Sequence, residues 1–252
     1  MVHAQTIDEV LARLDDIIAR SRSRGTADGY FAVLYRQVTA EVQRRIGAGS
    51  FEDGPRMERL DVVFANRYLA AAAAHEDGRD PGICWRLALD ESRSWRPLVL
   101  QHLLLGMNAH INLDLGIAAA EVAPGSRIRE LETDFNRIND VLAGLVDGVQ
   151  RRLAIVWPAL RVIDGFAGGL DEAVANFSMR RAREHAWSVA LRLAGVDDAA
   201  ARQRAIGDVD GHASAIARLV LHPPGVSTKL ALLWVRLRER GSVADKIAAL
   251  GG

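Results

Sequence analysis

One helical segment of the sequence has no continuous polar face, and it constrains the fold more than any other feature. Pro97 is predicted to open this segment, and the sequence APGS at 123–126 ends it. Between these limits polar residues lie on two faces, and leucine, isoleucine, valine and alanine fill the rest. A helix of this kind has to be surrounded by other helices. The segment is therefore predicted to be the central helix of a bundle.

The rest of the chain also has the composition and spacing of helices. Alanine, leucine and arginine are abundant, and these residues favour helix. Thr6 to Glu9 (TIDE) form a capping box that opens the first helix. No stretch alternates apolar and polar residues as a strand does, and no linker-like stretch divides the chain. We predict an all-α fold, a single-domain bundle of about eight or nine helices over 1–252. Residues 1–25 would form the N-terminal helix and 226–252 the closing helices.

Charge and cysteine content exclude several classes of protein. The 32 lysines and arginines equal the 32 aspartates and glutamates in number, so the formal net charge is zero. The sequence therefore lacks the excess of positive charge that is typical of nucleic-acid-binding proteins. We expect no nucleic-acid partner. The single cysteine allows no intrachain disulfide, as is typical of the cytoplasm. The N-terminus lacks the basic and apolar regions of a signal peptide. No apolar run is expected to reach the roughly 18 residues of a membrane span, so we expect a cytoplasmic protein.

The central segment carries an unusual motif, GMNAHINLDLG at 106–116. His110 and Asp114 are four residues apart, so their side chains can meet on one face of a helix, and His102 lies two turns earlier. One interpretation is a site for one divalent metal (zinc, iron or manganese), with the other ligands on other helices. The second is acid–base catalysis, with Asp114 orienting His110. The third is a structural pair that fixes helix packing. The spacing leaves all three open.

Other helices also place polar residues within apolar stretches. The stretches are LDVVFANRYL, DFNRINDVL and REHAW, and in the second of them Asp134 is predicted to point inward. Helical bundles build cofactor sites and small-molecule pockets from such convergent groups. With the polar residues of the central segment, they give these candidate substrate-binding residues: Asp61, Arg67, Tyr68, Met107, Asn108, Asn112, Asn139, His185 and Trp187.

Taken together, GMNAHINLDL, LDVVFANRYL, DFNRINDVL and REHAW resemble the signature of a bacterial all-helical family of unknown function. The resemblance runs from about Gly29 to Leu191. It implies that these polar positions belong together, and it brings no activity with it. A fainter likeness is to zinc-dependent phospholipase C and related zinc nucleases, all-helical proteins with histidine and aspartate ligands. The sequence departs from them because it lacks their N-terminal tryptophan ligand and has too few well-spaced histidines for three metals.

We therefore expect an enzyme that acts on a small, largely apolar molecule inside the bundle, with His110 and Asp114 as its reactive pair and His102 as a third candidate catalytic residue. With a bound metal, hydrolysis or an oxidative reaction is open to it; without one, isomerisation, elimination or cyclisation is more natural. The alternative is a non-catalytic binding or interaction module whose buried polar groups are structural.

The segment STKLALLWVRLRERG at 227–241 is amphipathic. Leu230, Leu233, Trp234 and Leu237 share one face. We expect this face to close the bundle; the other interpretation is that it docks on a partner helix or a membrane surface. The sequence does not specify the oligomeric state.

Overall fold

The computed structural model describes residues 3–138 and 179–251. These residues form ten α-helices and no strand, which confirms the all-α prediction. The helices are α1 (Ile7–Arg24), α2 (Asp28–Gly47), α3 (Gly54–Glu76), α4 (Ile83–Asp90), α5 (Val99–Asn108), α6 (Gly116–Val122), α7 (Met179–Ala194), α8 (Ala199–Leu221), α9 (Val226–Arg236) and α10 (Val243–Gly251).

Helix ends lie where the capping residues predict them. The Thr6 side chain accepts a hydrogen bond from the backbone N–H of Glu9 at the start of α1. The Glu9 carboxylate in turn accepts from the backbone N–H of Gln5, the residue before the cap, so two backbone donors at the start of the helix are satisfied. Gly25 ends α1 in the left-handed region, at φ 70°, where a residue without Cβ is unstrained.

The central helix is continuous from Val99 to Val122. It consists of α5, a π-helical segment (Ala109–Leu115) and α6, and it contacts α2, α3, α4, α7 and α8. This confirms its predicted central position. By length and composition the helix could cross a membrane, but 94% of its most apolar window is buried inside the protein, as in a core helix. The expectation that no apolar run is as long as a membrane span was wrong. The polar residues of the motif are too few to bring the mean hydropathy of Val99–Val122 below that of a membrane-spanning helix.

The two glycines that bracket the motif lie where neighbouring helices approach most closely. A Cβ atom on Gly106 would overlap the ring of Phe31 in α2. A Cβ atom on Gly116 would lie 2.5 Å from the carbonyl oxygen of Ala186 and 2.8 Å from Val189, both in α7. Protein interiors are close-packed, so a methyl group at either position would push a helix away. The glycines thus fix the distance from the central helix to α2 and α7.

The two C-terminal helices differ in how they pack. Helix α10 buries Ile247 and Leu250 against α2 and the start of the central helix. Helix α9 buries only Val235, against Leu98. The face of α9 that was expected to close the bundle is exposed. That expectation was wrong, because α9 uses the opposite face for its single buried contact.

Candidate functional site

Asp114 is buried in the π-helical segment and has two strong hydrogen-bond donors. Arg67 of α3 donates from Nε to Oδ1 at 2.8 Å, and the indole N–H of Trp85 in α4 donates to Oδ2, also at 2.8 Å. A buried carboxylate needs such partners, because its desolvation is otherwise uncompensated. The prediction that Arg67 lies at the site is consistent with this pair. Trp85 was not predicted as a site residue.

His110 is buried among aromatic rings. Its ring stacks on Phe64 with 3.5 Å between ring centroids, and it meets the ring of Tyr35 edge-on, with 4.2 Å between centroids. Nδ1 lies 3.9 Å from Asp114 Oδ2, too far for a hydrogen bond, and neither ring nitrogen has a partner. Burial lowers the pKa of His110 and outweighs the opposing charge of Asp114. The structure therefore brings the predicted pair side by side, with a neutral histidine and without a direct hydrogen bond.

His102 does not join this pair. Its ring meets Tyr30 edge-on, with 5.9 Å between centroids. Burial, with the charges of Arg236 and Lys246, lowers its pKa to about 4. The ring contacts of His110 are with a different set of residues: Phe31, Tyr35, Phe64, Tyr68 and Trp85. His102 thus lies toward the C-terminal helices.

Tyr35, whose ring contacts His110, belongs to a group of buried polar side chains in α2 and α3. Tyr35 and Thr39 lie one turn apart in α2, and the charge of Asp61 in α3 acts on Tyr35. We call Tyr35, Thr39, Asp61 and His110 the interior polar cluster. In the described parts of the chain, seven buried side-chain polar atoms lack a hydrogen-bond partner, and five of them belong to this cluster. Each such atom costs about 1–3 kcal/mol, so their concentration at one place requires an explanation.

The carboxyl group of Asp61 has a strongly altered acidity. Burial, with a smaller contribution from the charge of Glu58, raises its pKa to about 7. Burial and the charge of Asp61 likewise hold the pKa of Tyr35 well above its usual value. At neutral pH the cluster therefore contains one carboxyl that is partly protonated and one phenol that keeps its proton. Titratable groups with pKa values shifted in this way concentrate at functional sites.

Sequence reasoning identified Asp61 and His110 but missed Tyr35 and Thr39. Both lie on the mainly apolar face of α2, where a tyrosine is expected to be a core residue. The available signal was a threonine four residues after a tyrosine on a face that is otherwise apolar.

An open cleft of about 560 Å³ lies beside Asp114, between α3, α4 and α8. Arg67 is half-buried and reaches the cleft, with Asp114 and Trp85 beside it. The apolar residues that line the cleft are Val63, Ala70, Ala71, Ala74, Leu113 and Ile206. Asp210 also borders the cleft, and it accepts hydrogen bonds from the first backbone N–H groups of α4. Asp114 therefore borders the cleft and also lies next to His110.

The asparagines of the motif have structural partners. Asn112 donates to the side-chain oxygen of Asn108 at 2.9 Å, and Asn108 donates to the carbonyl of Ala213 in α8 at 2.8 Å. Gln101 donates to the carbonyl of Val220, also in α8. These three residues form a polar ladder that ties the central helix to α8. The hydrogen bonds of Asn108 and Asn112 therefore fit the structural interpretation of the motif, in which polar groups fix helix packing.

The remaining candidates lie around or away from the cluster. Tyr68 packs between Phe31 and Trp85, with centroids 5.1 and 5.0 Å away, and Met107 is half-buried against the core. The ring of His185 faces His212 at 4.7 Å, and Trp187 packs on Phe135 at 4.8 Å. These last two candidates belong to contacts of α7 rather than to the cluster. Asn139 lies outside the described residues.

Asp134 is buried, as predicted, and its role is structural. It accepts hydrogen bonds from the backbone N–H groups of Glu52 and Asp53 at 2.8 and 3.0 Å, and from Arg137 at 3.0 Å. It thereby fixes the loop that enters α3. Because both of its oxygens are paired, Asp134 contrasts with Asp61 of α3, whose Oδ2 has no partner.

The described residues do not fit the metal site that the motif suggested. Both oxygens of Asp114 are engaged by Arg67 and Trp85, and the neighbours of His110 are aromatic rings. Within 3–138 and 179–251, no three His, Cys, Asp or Glu side chains come together as metal ligands. A divalent cation needs several such ligands at once.

Comparison with known proteins supports the family resemblance. A search of curated proteins and a search of solved structures each found no match to the chain, and the likeness to zinc-dependent phospholipase C is not supported. One family model matches residues 7–223, which include α1 to α8 and all the motifs on which the resemblance rests. Helices α9 and α10 lie beyond that match. The chain belongs to the family of unknown function DUF5995.

Proposed function

We propose that the protein is an enzyme that moves a proton on a small, largely apolar molecule bound against the interior polar cluster. The observation that carries the proposal is the group of five unpartnered polar atoms on Tyr35, Thr39, Asp61 and His110. A substrate with one carbonyl or hydroxyl group would provide the missing hydrogen-bond partner. The surrounding aromatic rings would contact its apolar part.

The chemistry of each group suggests a role. A carboxyl with a pKa of about 7 can both accept and return a proton at neutral pH, so Asp61 is the proposed acid–base group. The Tyr35 hydroxyl keeps its proton and can donate a hydrogen bond to a substrate oxygen. His110 is neutral, so one ring nitrogen donates and the other accepts. The charge of Asp114 favours the tautomer with the proton on Nδ1.

An isomerisation illustrates how these groups would act together. Asp61 would remove a proton from the carbon next to a carbonyl, and negative charge would develop on the carbonyl oxygen. A hydrogen bond from the Tyr35 hydroxyl would stabilise that oxygen. Asp61 would then return the same proton to a different carbon, which leaves an isomer and an unchanged enzyme. Elimination and cyclisation need the same groups. Metal-assisted hydrolysis or oxidation is less well supported, because Asp114 is already paired.

A second candidate is non-catalytic binding of a small molecule in the cleft beside Arg67. It is favoured by the cleft volume of about 560 Å³ and by the half-buried guanidinium, of which only Nε is used by Asp114. In that case the interior polar cluster would be structural, as the polar ladder is.

The test uses a β,γ-unsaturated cyclic ketone as the probe, because its conjugated isomer is detected by ultraviolet absorbance. We expect turnover by the wild type and a loss of about 10²–10⁴-fold in Asp61→Asn, which keeps the shape and removes the titration. Asp134→Asn is the matched control, a buried aspartate with structural partners, and it should keep the activity. Circular dichroism verifies that each variant is folded.

Ligand binding separates the two candidates. Thermal shift with cyclohexanone should show stabilisation of the wild type that is reduced in Tyr35→Phe. Ala70 is exposed and lines the cleft, so Ala70→Trp should leave that shift unchanged. Binding lost in Ala70→Trp and kept in Tyr35→Phe would favour the cleft. Absence of ketone binding and turnover in the wild type would argue against the interior site.

A further inference from the structure

Helix α9 has an apolar face that nothing in the described structure covers. Val226, Leu230, Leu233 and Leu237 recur at intervals of four, three and four residues, which places them on one side of the helix. They are between 46% and 74% exposed. Trp234, next to this stripe, is 41% exposed. We call these five residues the α9 apolar face. Contiguous exposed apolar side chains of this kind mark interaction surfaces.

The apolar face is flanked by cations on both sides. The guanidinium of Arg238 lies 3.7 Å from the centroid of the Trp234 ring, and Lys229 is exposed on the other flank. Residues 226–238 contain no aspartate or glutamate. The side chain of the next acid, Glu239, is 4% exposed and pairs with Arg236 and Lys246. The exposed surface of α9 is therefore apolar in the centre and positive at its edges.

The opposite side of α9 is firmly attached to the bundle. Val235 packs on Leu98, and Arg236 donates to the carbonyl of Trp95. Glu239 accepts a hydrogen bond at 3.2 Å from the backbone N–H of Val99, the first residue of the central helix. One side of the helix is thus fixed while the apolar face points away from the protein. The helix also lies beyond residues 7–223, the part that matches the family.

We propose that α9 binds an anionic lipid surface. An amphipathic helix with leucine and tryptophan on one face and lysine or arginine beside it is suited to the boundary between lipid head groups and acyl chains. The charge pattern favours lipid over a second copy of the chain. Two copies joined through this face would bring the cations of one copy near those of the other, whereas anionic head groups would neutralise them. This proposal does not depend on the proposed function.

The experiment is sedimentation of the full-length protein with vesicles of phosphatidylcholine, alone or mixed with phosphatidylglycerol. We expect binding to the mixed vesicles that weakens as salt is added, because the ionic part is screened. Leu230→Ser with Leu233→Ser should weaken binding at least about tenfold, since two buried leucines are lost. Lys229→Gln with Arg238→Gln should weaken it about fivefold for each cation removed.

The matched control replaces two exposed apolar residues outside α9, Ile83→Ser with Leu191→Ser, which are 44% and 41% exposed. It should bind like the wild type. Failure of the wild type to bind mixed vesicles, or equal binding by the Leu230→Ser, Leu233→Ser variant, would overturn the proposal. Sedimentation velocity without lipid is measured in parallel. A dimer that this variant abolishes would assign the face to a second copy and would also overturn it.

Discussion

The raised pKa of Asp61 predicts an unusual dependence of stability on pH. The pKa is about 7 in the folded protein, against about 3.9 in an unfolded chain. Between these values the folded state holds a proton that the unfolded state has lost, so the free energy of unfolding falls as pH rises. This contribution is complete below the unfolded value and is lost as pH passes through the folded value. The direction is opposite to that of an ordinary ion-paired carboxylate.

The magnitude follows from the two pKa values. Between about pH 5 and pH 8, the Asp61 carboxyl should lower the free energy of unfolding by about 2–3 kcal/mol. Asp61→Asn has nearly the same shape and does not titrate. The stability of Asp61→Asn relative to the wild type should therefore increase by this amount over the same interval. His110 also titrates, but it is present in both proteins, so its contribution cancels in the comparison.

Urea unfolding followed by circular dichroism, at a series of pH values from about 5 to 8, measures this difference. Asp134→Asn is the control. Burial acts to raise the pKa of Asp134, but hydrogen bonds from the backbone N–H groups of Glu52 and Asp53 lower it below its usual value. The stability difference between Asp134→Asn and the wild type should therefore stay constant from about pH 5 to pH 8. A stability difference for Asp61→Asn that stays constant with pH would refute the reasoning. Asp61 would then be an ordinary carboxylate at neutral pH and unsuited to the proposed proton transfer.

Three further predictions concern the surroundings of the cluster. Glu58→Gln removes a charge that raises the pKa of Asp61, so the pH at which this carboxyl titrates, measured by NMR, should fall. Gly106→Ala places a methyl group against the aromatic ring of α2, and urea unfolding should show a loss of about 1–3 kcal/mol. Trp85→Phe leaves one oxygen of Asp114 without its donor, which should cost about 1–3 kcal/mol in the same assay. An unchanged NMR titration or unchanged unfolding free energies would contradict the respective assignment.

The fold could be predicted because its signals are local. Apolar spacing, capping residues such as Thr6 and turn residues such as Gly25 act within a few positions of the chain, and the structure follows them. The central position of Val99–Val122 followed from its composition, because a helix without a polar face cannot lie at the surface. The exposure of α9 could not be predicted in this way. An amphipathic face shows which side is apolar but not whether anything covers it.

The candidate site was predicted only in part, because it depends on contacts between distant residues. The partners of Asp114 lie 47 and 29 residues away in sequence, and no local pattern specifies them. An α-helical wheel places His102 and His110 on the same side of the helix. The π-helical segment begins at Ala109 and has a different number of residues per turn, so that wheel does not apply to His110. Tyr35 and Thr39 could not be distinguished from core residues without knowledge of what faces them.

The two sets of buried polar groups in this bundle differ in a way that bears on function. The polar ladder of Gln101, Asn108 and Asn112 is paired with itself and with α8. Such a ladder holds the central helix in one position. The interior polar cluster lies on another side of the same helix, and its atoms are left unpaired at a cost to stability. A fold that satisfies one set so completely could have filled the other with apolar side chains. Sequences break local rules of this kind mainly where function requires it, and for this reason the cluster, rather than the ladder, is the place to look for chemistry.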